Sequence, residues 1–354
     1  MDTLSHIYTG TTATGGSSYF YGNGAQLGSG TGALQGPNGL SLGGASTENS
    51  NGDIGELLVF TSVLTSQERG EVEAYLNRKW KGGNANILPT TTALSLTTSG
   101  ATLDLNGVTQ TVASLSGVAG TSIALNGGAL TVGGATSTVF AGDISGSGAL
   151  TKVGSGTLEL SGTSTPTGGP ILVQGGTLLL TGSLSGSLVE VQSGGTLGGT
   201  GTIGGDLYIT GTGKLSPGTS PGTLTVTGST LDFSDAVFAT NTHALVFELG
   251  STSDRVNVTT GQLGIGTGVL EFDDFTFTES AGFGPGTYTL FDSTQDLFGA
   301  LGANLSGTIV GDLVGTLSLA DTNNDIVLTV IPEPGSAIFF LGGLSLLASR
   351  RRRS

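Results

Sequence analysis

The chain has 354 residues, of which 65 are glycine and none is cysteine, and its formal net charge at pH 7 is −15. Glycine loses more backbone entropy on ordering than any other residue, so this composition disfavours helical bundles and doubly wound α/β enzymes and favours short strands with many turns. Without cysteine there are no disulfides, thiolate metal sites or cysteine nucleophiles. The acidic charge argues against nucleic acid as a partner, because phosphates are bound by clustered Lys and Arg.

The N-terminal segment, 1–81, ends in the clearest helical pattern of the chain. A strand-length apolar run, DIGELLVF, occupies residues 53–60, and residues 65–81 are predicted to form an amphipathic helix. Thr65 is a suitable N-cap and Glu68 follows at the N3 position, which is a capping box. The apolar face of the helix consists of Val72, Tyr75, Leu76 and Trp80. We interpret Trp80 as a packing anchor.

The string GDIGELLVFTSVLTSQERGEVEAYLNRKW, which ends at Trp80, resembles the closing segment of LamG-like, concanavalin-type jelly-roll domains. The resemblance implies a strand followed by a short helix. A complete domain of this kind is longer than the available segment, so residues 1–81 are expected to be a partial jelly-roll segment. No ligand-binding residue is carried over from the family.

After a linker at 82–93, residues 94–228 repeat short phrases at a nearly fixed spacing. TLDLNG begins at position 102 and SIALNG at 122, GALTV at 128 and GALTK at 148, and GTLEL at 156, GTLLL at 176 and GTLGG at 195. Apolar residues alternate within each phrase, and with a period of about twenty this predicts a β-solenoid (parallel β-helix) whose coils stack their inward side chains. At the usual strand spacing this segment forms about seven coils and a rod of about 30 Å. The glycines are expected at the corners of the coils.

The solenoid segment also resembles a known repeat family. Residues 146–180 resemble the autotransporter-associated β-strand repeat, and the phrase LSPGTSPGTLTV at 215–226 resembles a recurring phrase of the same passenger proteins. The resemblance implies a parallel β-helix.

Residues 229–330 still read as strands, but the period blurs, so they are expected to form either a β-rich end of the solenoid or a small cap. Fourteen acidic residues and one basic residue, Arg255, lie between Asp232 and Glu333. Glu271, Asp273 and Asp274 could together bind calcium weakly. They match no calcium-binding motif, so solvated charge is the favoured interpretation and no metal site is predicted.

The C-terminal residues 331–354 form a segment with a composition of its own. Pro332, Glu333 and Pro334 precede the uncharged, largely apolar segment 335–349, and the chain then ends in four consecutive arginines followed by a serine: Arg350, Arg351, Arg352 and Arg353. A helix over 335–349 would be about 22 Å long, short of the ~30 Å hydrocarbon core, although flanking arginines can reach the interface. By the positive-inside rule the arginines are expected in the cytoplasm.

This tail resembles the PEP-CTERM sorting signal of exported bacterial proteins, and all three of its parts are present in order. The resemblance implies that an exosortase, a membrane-bound processing enzyme, recognises Pro332, Glu333 and Pro334. It implies a protein of the cell envelope or surface of bacteria that make exopolysaccharide, transiently anchored in the inner membrane by the C-terminal helix. Such proteins begin with an export signal, and no Lys or Arg precedes Arg69, so we hypothesise that an N-terminal segment is missing.

Motifs that would indicate an enzyme are weak in this chain. GTGTIG at 199–204 fits a dinucleotide fingerprint, but with this much glycine it is interpreted as a solenoid turn. GTSPG at 218–222 fits the GxSxG motif, but it lies within the repeat, so Ser220 is not predicted to be a nucleophile. His6 and His243 lie in different segments. Residues 94–228 carry only seven charged side chains, Asp104, Asp143, Lys152, Glu159, Glu190, Asp206 and Lys214.

The sequence therefore favours a non-catalytic exported structural protein of the envelope or surface, with no cofactor and no catalytic residue. Its expected partners are an exosortase and an extracellular polysaccharide. The alternative is a carbohydrate-binding adhesin that uses the LamG-like segment, with the solenoid as a stalk. A third hypothesis, a solenoid enzyme that degrades polysaccharide, requires clustered charged residues that the solenoid segment lacks.

Overall fold

In the computed structural model the described residues are 88–234 and 243–333, with the short segments 8–11, 17–22, 25–31, 44–45 and 48–49 and residues 58, 65, 67–69, 72 and 75–76. The chain divides into two compact units, Met1–Leu88 and Pro89–Ser354. Strands dominate the described parts of both units, which confirms the prediction of an all-β chain.

The first unit contains antiparallel strands. β1 (Tyr8–Thr11), β2 (Ser17–Gly22) and β3 (Ala25–Thr31) form one sheet in chain order. β4 (Gly44–Ala45) and β5 (Glu48–Asn49) form a separate two-stranded ladder. This pairing differs from that of the solenoid, where the strands are parallel.

The predicted capping box is confirmed, and the described residues of the predicted helix, 67–69, 72 and 75–76, are helical. The Thr65 N–H donates to Glu68 Oε2 at 2.8 Å, and the Glu68 N–H donates to Thr65 Oγ1 at 3.2 Å. The hydrogen bonds from Thr65, first from its backbone and then from its hydroxyl, lower the pKa of the exposed Glu68 carboxyl. Trp80 lies outside the described residues.

The second unit is a three-sided parallel β-helix. Its first face has nine parallel strands: β6 (Ala93–Leu96), β9 (Ser114–Gly117), β12 (Thr138–Phe140), β14 (Thr157–Leu160), β16 (Gly176–Leu180), β19 (Gly195–Gly199), β22 (Lys214–Pro217), β25 (Leu245–Leu249) and β28 (Phe275–Glu279). Seven of these strands begin between Ala93 and Lys214, in agreement with the prediction of about seven coils.

The other two faces share two long strands, β13 (Asp143–Lys152) and β15 (Thr163–Val173), which bend from the second face to the third. The second face also contains β7 (Thr102–Asp104), β10 (Ser122–Ala124), β17 (Ser183–Leu184), β20 (Thr202–Ile203), β23 (Thr223–Val226), β26 (Arg255–Val258) and β29 (Gly286–Ser293). The third face also contains β8 (Thr109–Val112), β11 (Ala129–Val132), β18 (Val189–Val191), β21 (Leu207–Ile209), β24 (Thr230–Asp232), β27 (Gln262–Leu270) and β30 (Phe298–Leu301).

The core is built from ladders of equivalent residues in successive coils. On the first face the ladder runs through Leu158, Leu178, Leu197, Leu215, Leu245 and Phe275. On the third face it runs through Leu130, Leu150, Ile171, Val189, Leu207, Leu231 and Leu263. All these residues are buried, so the alternation predicted within each phrase is confirmed.

The corners of the coils account for many of the glycines in the chain. In the two LNG phrases, Asn106 and Asn126 have φ of 46° and 43°, and Gly107 and Gly127 follow with φ of 80° and 84°. Two successive positive φ values favour Asn-Gly in a tight turn. At another corner a Cβ on Gly182 would collide with the carbonyl oxygen of Gly162 in the coil below.

The C-terminal end of the solenoid changes from parallel to antiparallel pairing. β31 (Ser306–Val310), β32 (Leu313–Ala320) and β33 (Asp325–Pro332) form an antiparallel sheet, and β33 also pairs with β29. Two 3₁₀ turns, Phe272–Asp274 and Asp321–Asn323, lie in the same region. Phenylalanines replace aliphatic residues in this part of the core: Phe233 and Phe247 meet Phe291 at ring centroid distances of 5.5 and 5.4 Å.

Candidate functional site

The first two residues of the predicted sorting motif lie where the last strand leaves the sheet. Pro332 pairs with Leu313, and the Glu333 N–H donates to the Asp312 carbonyl at 2.6 Å. Both motif residues are exposed. Pro334, the segment 335–349 and Arg350, Arg351, Arg352 and Arg353 lie outside the described residues. In the part of the chain that the structure describes, no helix is both long enough and apolar enough to cross a bilayer.

Lys152 is the most unusual charged residue of the solenoid because it occupies an inward position. It pairs with Val132 in the coil below and with Val173 in the coil above, and it is only 3% exposed. Its Nζ donates to the carbonyls of Val153, Gly154 and Gly175 at 2.7, 3.0 and 3.0 Å. Burial lowers the pKa of the ammonium group. The three carbonyls accept from all three N–H donors of the ammonium group. Lys152 therefore stabilises this corner of the solenoid.

Three acidic residues of the repeat segment make hydrogen bonds between coils. Asp104 Oδ1 accepts from Asn126 Nδ2 at 3.1 Å, Glu159 accepts from the Thr181 hydroxyl at 2.7 Å, and Glu190 accepts from the Thr210 hydroxyl at 3.1 Å. These pairs lie in different coils and on different faces. The three hydrogen-bonded pairs are therefore separate from one another on the solenoid.

The GxSxG segment forms a turn held by a buried carboxylate. Ser220 has a φ of 107°, which is strained for a serine, and its hydroxyl is 3.4 Å from Glu248 Oε1. Asp254 is 5% exposed; its Oδ1 accepts from the Gly222 N–H at 2.8 Å and its Oδ2 from the Glu248 N–H at 2.7 Å. Burial raises the pKa of Asp254. We call Asp254 with these two N–H groups the turn clamp.

The remaining candidates from the sequence are the two histidines and the segment at 199–204 that fits a dinucleotide fingerprint. The ring of His243 lies 3.4 Å from the carbonyl of Phe275, in another loop from Ser220. His6 lies outside the described residues. The fingerprint at 199–204 runs from the end of β19 into β20, so a strand follows it where a dinucleotide site requires a helix. The interpretation of this segment as a solenoid turn is confirmed.

Of the three acids considered for calcium, Asp274 is 2% exposed, so the interpretation as solvated charge is wrong for this residue. The side chains of Asp274 and Glu271 both serve local structure. Asp274 Oδ2 accepts from the Glu271 N–H at 2.7 Å, and Glu271 Oε1 accepts from the N–H groups of Ala303 and Asn304 at 3.0 and 3.2 Å. Burial raises the pKa of Asp274 to about 6. Among the described residues no group of three or more His, Asp or Glu side chains is arranged to hold a metal ion.

One further polar cluster lies beside the antiparallel cap. Arg255 Nη1 donates to Asp292 Oδ2 at 3.1 Å, and Asp325 Oδ1 accepts from the Ser293 N–H at 3.0 Å. Burial is the first cause of a raised pKa for Asp325, and the neighbouring charges of Asp292 and Asp321 add to it. The cluster ties β26, β29 and β33 together.

An open groove lies at the corner between the second and third faces, near the C-terminal end of the solenoid. It has a volume of about 480 Å³ and is lined by Ser229, Thr260, Gln262, Thr294, Gln295 and Asp296. These residues come from three consecutive coils, and all are exposed. We call this the corner groove. No sequence motif marks it, because its residues are about one long coil apart in the chain.

The two threonines of the corner groove have hydrogen-bond partners for their hydroxyls, whereas its other side chains have none among the described residues. The hydroxyls of Thr260 and Thr294 donate to carbonyls of the preceding coil at 2.8 and 2.7 Å. In contrast, the side chains of Ser229, Gln262, Gln295 and Asp296 make no hydrogen bond with another described residue. The groove thus presents amide, hydroxyl and carboxylate groups on a fixed backbone.

Comparison with known proteins gave no family: no protein-family model matches the chain, and no curated protein matches it.

Proposed function

We propose that this protein is a non-catalytic, exported structural protein of the bacterial cell envelope or surface, sorted through its C-terminal signal. The observation that carries the proposal is the combination of a continuous solenoid with an apolar interior and an exposed Pro332-Glu333 at the end of its last strand. A stacked solenoid suits a spacer because each coil is stabilised by its neighbours. Five of the seven charged side chains of the repeat segment make contacts between coils, which supports a structural role: Asp104, Asp143, Lys152, Glu159 and Glu190.

Two finer assignments belong to this proposal. Residues 1–81 would be the closing part of a LamG-like jelly roll, displayed by the solenoid, and residues 335–349 would form a short hydrophobic helix. Arg350, Arg351, Arg352 and Arg353 would hold that helix in the inner membrane until an exosortase acts at Pro332, Glu333 and Pro334. The sequence resemblance to PEP-CTERM tails supports both the enzyme and the bacterial envelope as the destination.

Processing in a host that carries an exosortase tests the proposal. The full chain, supplied with an export signal, is compared with a variant in which Pro332, Glu333 and Pro334 are all replaced by Ala. We expect the variant to stay uncleaved in the membrane fraction while the parent chain is shortened and released from it. Pro285→Ala, which changes an exposed proline outside the motif, should be processed normally. Equal maturation of the parent chain and the triple variant would refute the sorting assignment.

A further inference from the structure

We propose that the corner groove, together with Phe298, is a binding subsite for a neutral oligosaccharide. This site lies in the solenoid and is distinct from the LamG-like segment. It also does not depend on processing at residues 332–334, because the groove belongs to the folded coils before that motif.

Phe298 supplies the apolar surface that such a subsite requires. It is 65% exposed, the most exposed of the large apolar side chains in the described residues. It follows Asp296 of the corner groove by two positions, and the half-buried Leu297 between them packs against the core. Asp296 and Phe298 are both exposed, and Phe298 pairs with Gly264, which follows Gln262 of the corner groove by two positions, so Phe298 lies beside the groove. The residue paired with Phe298 is Gly264, which has no side chain to cover the ring.

The chemistry of the groove matches that of a sugar ring. A pyranose has hydroxyl groups around its edge and C–H groups on its faces, so it is held by polar side chains at the edge and an aromatic ring against a face. Gln262 and Gln295 can each donate and accept, and Asp296 accepts from hydroxyls. The volume of about 480 Å³ is in the range of small-molecule sites.

The backbone of the groove is held in place before any ligand arrives. The Gln262 N–H donates to the Ser229 carbonyl at 3.0 Å, and the Thr294 N–H donates to the Val258 carbonyl at 3.2 Å. A Cβ on Gly261 would collide with the carbonyl of Gly228 in the preceding coil, so these corners are closely stacked. A fixed corner reduces the ordering cost of binding.

The charge of the corner groove determines which class of oligosaccharide it can bind. The groove contains a carboxylate and no cation, and fourteen acidic residues but only Arg255 lie between Asp232 and Glu333. Like charges across an interface are unfavourable, so uronate-containing chains are repelled. A single carboxylate also gives a divalent cation too few ligands. The expected ligand is therefore a neutral glycan.

Calorimetric titration of the full chain tests this inference. The probes are cellohexaose, maltohexaose, laminarihexaose and mannohexaose, with hexamannuronate as the charged comparison. We expect at least one neutral hexasaccharide to bind, and hexamannuronate to bind at least tenfold more weakly. Phe298→Ala and Gln262→Ala should each weaken binding at least tenfold, which corresponds to about 1.4 kcal/mol.

Two control variants separate the groove from general effects. Gln174→Ala removes an exposed amide elsewhere on the solenoid, and Val139→Ala removes an apolar side chain that is 48% exposed on the first face. Both should bind the probe like the parent chain. Circular dichroism should show that all four variants are folded, since each changed residue is exposed.

Three results would overturn the inference. The first is no binding of any neutral probe. The second is binding that Phe298→Ala and Gln262→Ala leave unchanged, which would assign sugar recognition to another part of the chain, such as residues 1–81. The third is a halved molar mass of Phe298→Ala in light scattering with unchanged sugar binding, which would make Phe298 a contact between two copies of the chain.

Discussion

Asp254→Ala removes the carboxylate of the turn clamp, which holds two coils of the solenoid together. Its two oxygens accept from Gly222 and Glu248 at 2.8 and 2.7 Å, and the side chain is 5% exposed. A buried N–H that loses its partner costs about 1–3 kcal/mol, so two of them cost about 2–6 kcal/mol. The burial that raises the pKa of Asp254 also means that the substitution removes a poorly solvated charge. We therefore expect a net loss of about 2–4 kcal/mol.

Asp254→Asn separates the hydrogen bonds from the charge. The amide keeps one acceptor for one N–H, but its NH₂ group faces the other N–H. We therefore expect a free energy of unfolding between that of the parent chain and that of Asp254→Ala. The raised pKa means that the folded protein binds the proton more tightly than the unfolded chain. The stability of the parent chain relative to Asp254→Asn should therefore fall as pH rises above about 3.9, until Asp254 is fully ionised.

Guanidinium unfolding followed by circular dichroism measures the global loss, and hydrogen exchange measures the local one. Solenoid coils can unfold separately. The decisive measurement is therefore the rate of hydrogen exchange in peptides that cover residues 214–226 and 245–258. These peptides should exchange faster in Asp254→Ala while those of the first four coils change little. Asp312→Asn, at an exposed position, is the control. Unchanged exchange in both peptides would refute the clamp.

Three other substitutions, and Leu188→Ala as a control for the first, test the solenoid in the same assays. Leu197→Ala, in the core ladder at 0% exposure, should cost about 3–5 kcal/mol, whereas Leu188→Ala at 38% exposure should cost well under half of that. Lys152→Met should cost about 1–3 kcal/mol by leaving carbonyls unpaired. Because burial lowers the pKa of Lys152, the advantage of the parent chain should grow as pH rises toward the ordinary lysine value; a shrinking advantage contradicts this. Asp274, with a pKa raised to about 6, should make the parent chain lose stability relative to Asp274→Asn between about pH 4 and 6, by less than about 1.4 kcal/mol per pH unit. Identical pH profiles of the two would contradict that assignment.

The regular coils could be predicted from the sequence because their chemistry repeats. Leu158 pairs with Leu178, and Leu178 pairs with Leu197, so the register of the strands follows the spacing of the GTL phrases. The capping box at Thr65 was equally predictable, since it depends on two residues three positions apart. Patterns of this kind are local or strictly periodic, so a single sequence displays them.

The last coils could not be predicted in the same way because they are longer. Leu215 pairs with Leu245 and Leu245 pairs with Phe275, so each of these coils is half as long again as a coil of the regular repeat. The longer coils increase the distance between successive phrases, so the fixed spacing is lost although the parallel stacking continues. Likewise, Lys152 ends a phrase at a position that valine fills in the preceding coil, and only the structure shows that it points inward to three carbonyls.

The difference in coil length also explains where a binding surface can arise in this solenoid. A short coil, such as those between Leu178 and Leu215, is almost completely used by three short strands and their glycine corners. The long coils that begin at Leu215 and Leu245 have additional residues, and the described ones include the loop of the turn clamp and the 3₁₀ turn at Phe272–Asp274. The corner groove is lined by residues of these two coils and of the coil that follows, and the side chains of Gln262 and Gln295 make no hydrogen bond with another described residue. Ligand recognition is therefore expected at this end of the rod, and the regular coils before it act as its support.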